Sequence, residues 1–366
     1  MNKPDLTKVK RVLIIRARAI GDVILTTPMI RAIRKALPDA EIDYLVEPFA
    51  EPALSGNPNL TNIILFKRHD PKKELPSVTA AIKKAEPMGF GGLGWTMGLY
   101  AFLIGRKYDL VFDLWGNLRT ALLSLLTGAK YRSGFNFRGR KYFYNLQFEP
   151  DVKTKFNVYY HMDLLKTVGI PEDGERTEFY TSGEDDKFAE EYISKTGNGG
   201  KLIGISVVGS WRTKRWPPEK FAELIDALVR NNKENRFIVF WGPGEKPLAE
   251  SVVNMVKEEK KNIFLPPETS VKQMAAIMKK LDLLVTNDGA AQHIAVALGT
   301  PALTIYGPTN YKAWGPSNNP RHLEVHSTDK CAPCDRMACD NFICMDNIKV
   351  EDVLEKALQL LARGKK

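Results

Sequence analysis

Short β-rich runs alternate with longer helix-period runs along the whole chain, and this alternation calls for parallel sheets with helices packed on both faces. In the first half the strand candidates are residues 11–16, 42–46, 62–66, 110–114 and 131–135. Between the first two, Ile30, Ile33 and Leu37 fall on one helical face, and Pro38 stops that helix. The same grammar restarts at Lys201, after an acidic helical stretch and the loop-forming run 196–200 (TGNGG). Its strands are expected at 202–208, 237–241, 283–285 and 302–306, and its helices at 218–231, 246–257, 271–281, 292–298 and 350–363. The expected class is α/β, with two Rossmann-like doubly wound domains, 1–181 and 182–366, facing a central cleft lined by the carboxyl ends of both sheets. At 366 residues the chain is long for a single core, which agrees.

The formal net charge of +10 favours anionic partners without choosing among nucleotides, phosphorylated lipids and nucleic acid. The N-terminal run MNKPDLTKVKR precedes only a short apolar segment and lacks the features of a secretory signal, so a cytoplasmic, reducing location is expected for the four cysteines. Between Glu86 and Arg106 nothing is charged, a length that could span a bilayer, but six of those positions are Gly, including Gly89, Gly91, Gly92 and Gly94. A surface loop and helix touching the membrane, or a buried segment, is the expectation.

Three motifs follow strands, where such folds hold nucleotides. In 16–22 (RARAIGD), Gly21 permits an unusual backbone angle beside helix-start N–H groups that can hold an anion. Asp22 could take a proton from a sugar hydroxyl, although residue types alone favour a helix cap. In 208–217 (VGSWRTKRWP), Ser210, Thr213 and the Lys214 ammonium can gather around a phosphate; the alternative is a basic surface loop over Trp216. In 285–295 (VTNDGAAQHIA), Asn287 and Asp288 can bond sugar hydroxyls while the turn at Gly289 and Ala290 offers N–H groups to a diphosphate, with His293 on the helix that follows. Glu245, in 242–245 (GPGE), could accept from ribose hydroxyls. Neither a Walker-type phosphate loop nor a Gly-x-Gly-x-x-Gly after the first strand is present, which disfavours ordinary P-loop ATPases and dinucleotide dehydrogenases.

In this order, with Lys-x-Trp-Pro at Lys214 and 306–309 (YGPT), these elements resemble glycosyltransferase family 9, the lipopolysaccharide heptosyltransferases, over nearly the whole chain. The resemblance implies GT-B architecture and metal-independent, inverting transfer of L-glycero-D-manno-heptose from ADP-heptose to the lipopolysaccharide inner core. It makes Asp22 the base, Lys214 and Ser210 diphosphate contacts, Glu245 the ribose acid, and Asp288 and His293 part of the sugar and diphosphate turn. Family members usually carry Asp-Ser/Thr-Gly where this chain reads Asp288, Gly289, Ala290, so the same fold moving a different sugar, or serving a different acceptor, is the second reading.

The basic run 130–141, with Arg119 before it, offers Arg132, Arg138 and Arg140 to an anionic acceptor rich in octulosonic acid carboxylates, or forms a solvated basic face. Peripheral contact with the cytoplasmic face of the inner membrane goes with such an acceptor. Cys331, Cys334, Cys339 and Cys344, spaced Cys-x2-Cys-x4-Cys-x4-Cys, could hold structural zinc or an iron–sulfur cluster, or remain free thiols; catalysis itself is expected to need no cofactor. A basic nucleic-acid-binding protein is the rival of another class. No zinc-finger pair, helix-turn-helix or RNA-binding signature supports it, so nucleic acid is not an expected partner.

Overall fold

The computed structural model describes residues 3–65, 93–149, 155–316 and 319–364. The chain divides into two compact units, Met1–Glu178 and Phe179–Lys366. Gly89, Gly91 and Gly92, in the uncharged stretch, lie outside the described residues.

The first unit is built on a six-stranded parallel sheet ordered β3-β2-β1-β4-β5-β6. Its strands are β1 Arg11–Ile15, β2 Glu41–Val46, β3 Asn62–Leu65, β4 Leu110–Asp113, β5 Tyr131–Phe135 and β6 Leu146–Phe148. Around them lie helices α1 Ile20–Ile24, α2 Thr27–Ala36, α3 Leu93–Gly105, α4 Leu118–Leu126 and α5 Asn157–Met162. Strand β1 is buried at four consecutive positions because helices cover both faces of a parallel sheet. Helix α2 starts with Pro28 in its first turn, ends with Arg34 and Lys35 complementing its dipole, and stops two residues before Pro38. Gly134 in β5 lies under the Tyr144 ring, where an added Cβ would stand 2.6 Å from the ring carbon Cζ.

The second unit repeats the plan as β12-β11-β10-β7-β8-β9. Here β7 is Leu202–Ser206, β8 Arg236–Phe240, β9 Ile263–Phe264, β10 Leu283–Asn287, β11 Ala302–Tyr306 and β12 His322–His326. Its helices are α6 Gly183–Ser194, α7 Pro218–Asn231, α8 Lys246–Met255, α9 Val271–Lys280, α10 Ala290–Leu298, α11 Tyr311–Trp314, α12 Ile343–Asp346 and α13 Val350–Arg363. Phe221, Leu224, Ile225 and Leu228 recur on one face of α7 and enter the core, where Trp216 meets Phe221 edge-on at 5.0 Å. Gly299 closes α10 in the left-handed conformation a glycine takes without penalty.

Read outward from the first strand, both sheets run 3-2-1-4-5-6, so each unit has a crevice beyond the strand ends where the order reverses, between β1 and β4 and between β7 and β10. Strands β6, β9 and β12 were not among the sequence expectations. The first two are only three and two residues long and β12 alternates polar and apolar residues, so each edge segment reads as a loop until a neighbour pairs with it. No helix among the described residues is long and apolar enough to cross a membrane.

Candidate active site

In the first unit the turn after β1 carries Arg16, Arg18 and Asp22. Asp22 reaches back to the start of α1: its Oδ2 accepts from the Ala19 N–H at 3.0 Å, and its Oδ1 accepts from the Arg16 guanidinium at 2.6 Å. The capping and chemical readings therefore coexist, one on each oxygen, and the side chain stays partly open to solvent. A second guanidinium nitrogen of Arg16 donates to the Leu114 carbonyl beyond β4 at 3.1 Å, so this arginine bridges the two strands that flank the crevice. Gly21 is buried inside α1, and the unusual backbone angle expected of it is not used.

Aromatic and cationic groups surround this turn. The Arg18 guanidinium lies 5.8 Å from the Trp115 ring centroid, and Tyr160 stacks on Phe135 at 4.2 Å. Burial raises the Tyr160 phenol to about 12, against the opposing pull of Arg16 and Arg140, which places both cations around one ring. His161 is buried with its Nδ1 unbonded, and burial, helped by Arg16, lowers it to about 3. It is neutral at working pH. Asp113, buried at the end of β4, is raised by desolvation and accepts from Tyr144 Oη at 2.7 Å.

Of the arginines expected to meet an acceptor, Arg119 lies exposed on α4, Arg138 is exposed, and Arg140 lies 5.1 Å from the Phe137 ring centroid. Arg132 does something else. Its guanidinium donates to the carbonyls of Phe143 at 3.0 Å and Ala129 at 2.7 Å, closing a loop rather than facing a ligand.

In the second unit Lys214 and Asp288 meet at 2.7 Å, joining the loop after β7 to the turn after β10 across the crevice. Both are buried, which costs desolvation that only a well-bonded pair recovers. Thr309 supplies the extra bond, its hydroxyl donating to Asp288 Oδ2 at 2.7 Å. The ammonium also lies 4.5 Å from the Trp211 ring centroid and 5.7 Å from that of Trp314. Helix α10 begins at Ala290 with no side-chain cap, leaving first-turn N–H groups for an anion. Ser210 stands beside this turn, 3.9 Å from where a Cβ on Gly289 would lie. His293 is buried in the first turn of α10, its ring centroid 6.2 Å from that of Trp314. Glu245 accepts from the Gly242 N–H at 3.2 Å and pairs with Arg215 at 3.4 Å, and burial raises its carboxyl against the pull of that arginine.

Two of the residues expected to touch the donor have side chains bonded to backbone. Asn287 lies within β10, fully buried, with Oδ1 accepting from the Trp216 N–H at 3.0 Å and Nδ2 donating to the Val207 carbonyl at 2.9 Å. Thr213 is buried and its hydroxyl donates to the Arg336 carbonyl at 2.9 Å. Both pin the lysine-bearing loop in place. Thr309 and Arg16, which bond Asp288 and Asp22, were not singled out in the sequence; each stood inside a motif, without a spacing that announced its partner.

Cys331, Cys334, Cys339 and Cys344 all line one cavity of about 270 Å³ beside Thr213. Among the described residues, no three His, Cys, Asp or Glu side chains are placed to hold a metal ion, so the zinc or iron–sulfur ligand set that the spacing left open is not assembled. The thiols surround a space instead of meeting at a point. Burial, with the neighbouring thiols adding to it, pushes Cys344 up to about 11, and Cys339 donates its S–H to the Asn341 carbonyl.

Two Rossmann-ordered sheets, one crevice carrying a carboxylate among arginines and the other a lysine beside an open helix start, define an enzyme of the GT-B glycosyltransferase class. The chain belongs to the family described as glycosyltransferase family 9 (heptosyltransferase), whose model matches residues 99–342. It is 26% identical over 320 residues to the lipopolysaccharide core heptosyltransferase OpsX of Haemophilus influenzae, covering 85% of this chain and 82% of that one. Among solved structures it resembles the family 9 glycosyltransferase of Veillonella parvula, at 23% identity with a TM-score of 0.80, covering 99% of this chain and 100% of that one. It also resembles the ADP-heptose lps heptosyltransferase II of Escherichia coli, at 19% identity with a TM-score of 0.75, covering 96% and 99%.

Proposed function

We propose that this enzyme moves heptose from ADP-heptose to the lipopolysaccharide inner core, with inversion and without a metal, in peripheral contact with the cytoplasmic face of the inner membrane. The observation that carries the reading is the Lys214–Asp288 pair at the strand ends beside the uncapped start of α10, a fixed cation and free N–H groups suited to a pyrophosphate. In this reading Asp22 removes the proton from the acceptor hydroxyl. That oxygen bonds to the anomeric carbon as the bond from this carbon to the β-phosphate oxygen breaks, and ADP leaves. Lys214, Ser210 and the N–H groups at Gly289 and Ala290 take up the developing charge, the task a metal performs elsewhere. Glu245 holds the ribose, His293 supports the donor turn, and Arg119, Arg138 and Arg140 hold acidic groups of the acceptor.

Ser210 stands beside the hydroxyl missing at position 289, which supports the same donor despite the altered turn. Gly289 has an extended φ of 174° that any residue can adopt, and the Ser210 hydroxyl already borders the space a serine there would fill. Incubation with ADP-heptose and truncated lipopolysaccharide acceptors, followed by product mass and linkage analysis, tests the reading. Transfer from a different sugar nucleotide, with none from ADP-heptose, would replace it with the second one.

A further inference from the structure

Helix α4 (LRTALLSLL) is amphipathic the wrong way round. A helix on a soluble surface turns its apolar side inward, yet α4 buries Thr120, Ala121, Leu123 and Ser124 and presents Leu118, Leu122, Leu125 and Leu126 outward, with Arg119 their only polar companion. Leu118 is 64% exposed and the other three 40%, 41% and 39%. Their spacing is that of a single helical stripe. The inward side even keeps a Ser124 hydroxyl with no hydrogen-bond partner. Helix α3 packs alongside, with Leu99 and Leu103 in the core and Phe102 and Ile104 exposed on opposite flanks of them.

The chain that builds this surface carries mostly cations. Between residues 93 and 148 the acids are Asp109, which accepts from the N–H groups of Lys10 and Arg11, and Asp113, which is buried. The cations Lys107, Arg119, Lys130, Arg138 and Lys141 lie on these helices and the segments that follow them. The short 3-10 turn Arg140–Phe143 packs on α4 and carries Tyr142, 79% exposed, with the Lys141 ammonium 5.5 Å from its ring centroid. Leucines outward, an aromatic at the edge and basic side chains around them are the chemistry that seats a helix in the plane of a bilayer interface with anionic headgroups. A second copy of the chain is a poorer occupant, because symmetric pairing would set Arg119, Arg138 and Lys141 of one copy against the same cations of the other.

We infer that the α4 face is the membrane-docking surface of the enzyme, lying flat on a bilayer that contains anionic lipid; this rests on the reading that the acceptor is a membrane glycolipid. The experiment is flotation of the full chain with vesicles of phosphatidylcholine alone or mixed with phosphatidylglycerol. The wild type floats with the mixed vesicles and less so as salt rises, and the combined Leu118→Gln, Leu122→Gln and Leu125→Gln substitutions weaken that partition by about tenfold or more. Because these side chains point outward, the melting temperature and heptose transfer to a detergent-dispersed acceptor stay unchanged. Should the triple variant fold poorly, Leu122→Gln alone and Tyr142→Ser give smaller losses of the same sign. The inference is overturned if the wild type stays unbound, if the variants float like the wild type, or if they convert a wild-type dimer to monomer without changing flotation. Loss of the transfer assay in the wild type would instead strike the reading of the reaction.

Discussion

Arg16 and Asp22 stand six positions apart on one turn of the first unit, whereas Lys214 and Asp288 reach each other across 74 positions from the ends of two strands. The first pair keeps 15% and 22% of its side-chain surfaces open, the second 9% and 2%. The difference follows the work proposed for each. A base must meet an incoming hydroxyl, so its carboxylate is oriented but reachable. A group that neutralises a leaving diphosphate acts best when it is already desolvated and fixed, so that no reorganisation is needed as charge develops. The two units share a strand order and differ in how tightly their charges are enclosed.

Substitution of the base breaks the comparison most directly. Asp22→Ala is expected to lower turnover by ~10²–10⁴-fold, or about 3–5 kcal/mol of barrier; near-normal transfer by purified variant would remove Asp22 from the mechanism. In the second unit the loss should divide between folding and chemistry. Lys214→Met strands a buried Asp288 and is expected to cost about 3–5 kcal/mol of stability, read from denaturant unfolding. Adding Asp288→Asn should restore much of that stability while turnover stays low, and recovery of both together would make the lysine a structural residue only.

Two buried histidines, His161 in the first unit and His322 in the second, are held down at about 3, chiefly by burial. Unfolded histidine takes up a proton below about pH 6.5, so across the window down to about pH 3 the folded state binds fewer protons and stability falls as pH falls. Melting temperatures followed from neutral pH into that window should drop, and His161→Asn and His322→Asn should each flatten the slope; an unchanged slope in both would contradict the burial. The smallest effect belongs to Gly289→Ser. With its extended backbone and open space, that change should alter the donor KM by less than about threefold, roughly the factor that 0.6 kcal/mol represents.

The fold was legible because its central strands are near-continuous apolar runs, such as β1 and β11, that only a sheet covered on both faces can bury. The site was legible as motifs but not as contacts. Asn287 looked like a sugar ligand because the β10 strand was expected to end two residues earlier; within the strand, its amide binds backbone instead. Arg132 looked like its neighbours in the basic run, and only the loop closing around it shows where its donors go. The inverted face of α4 was written in LRTALLSLL, but which side of a helix with leucines on both faces turns inward depends on the sheet it packs against.

The segment from Arg336 to Ile348 meets the lysine-bearing loop and its helix through main-chain oxygens: Thr213 donates to the carbonyl of Arg336, the Trp216 indole to that of Ile348, and Lys220 to those of Asp346 and Ile348. Every amino acid offers that same oxygen. The accepting strap can therefore drift in residue identity across evolution while the donors on the other side cannot, and variation concentrated at 336 and 346 beside constancy at 213, 216 and 220 is the imprint such one-sided stitching leaves.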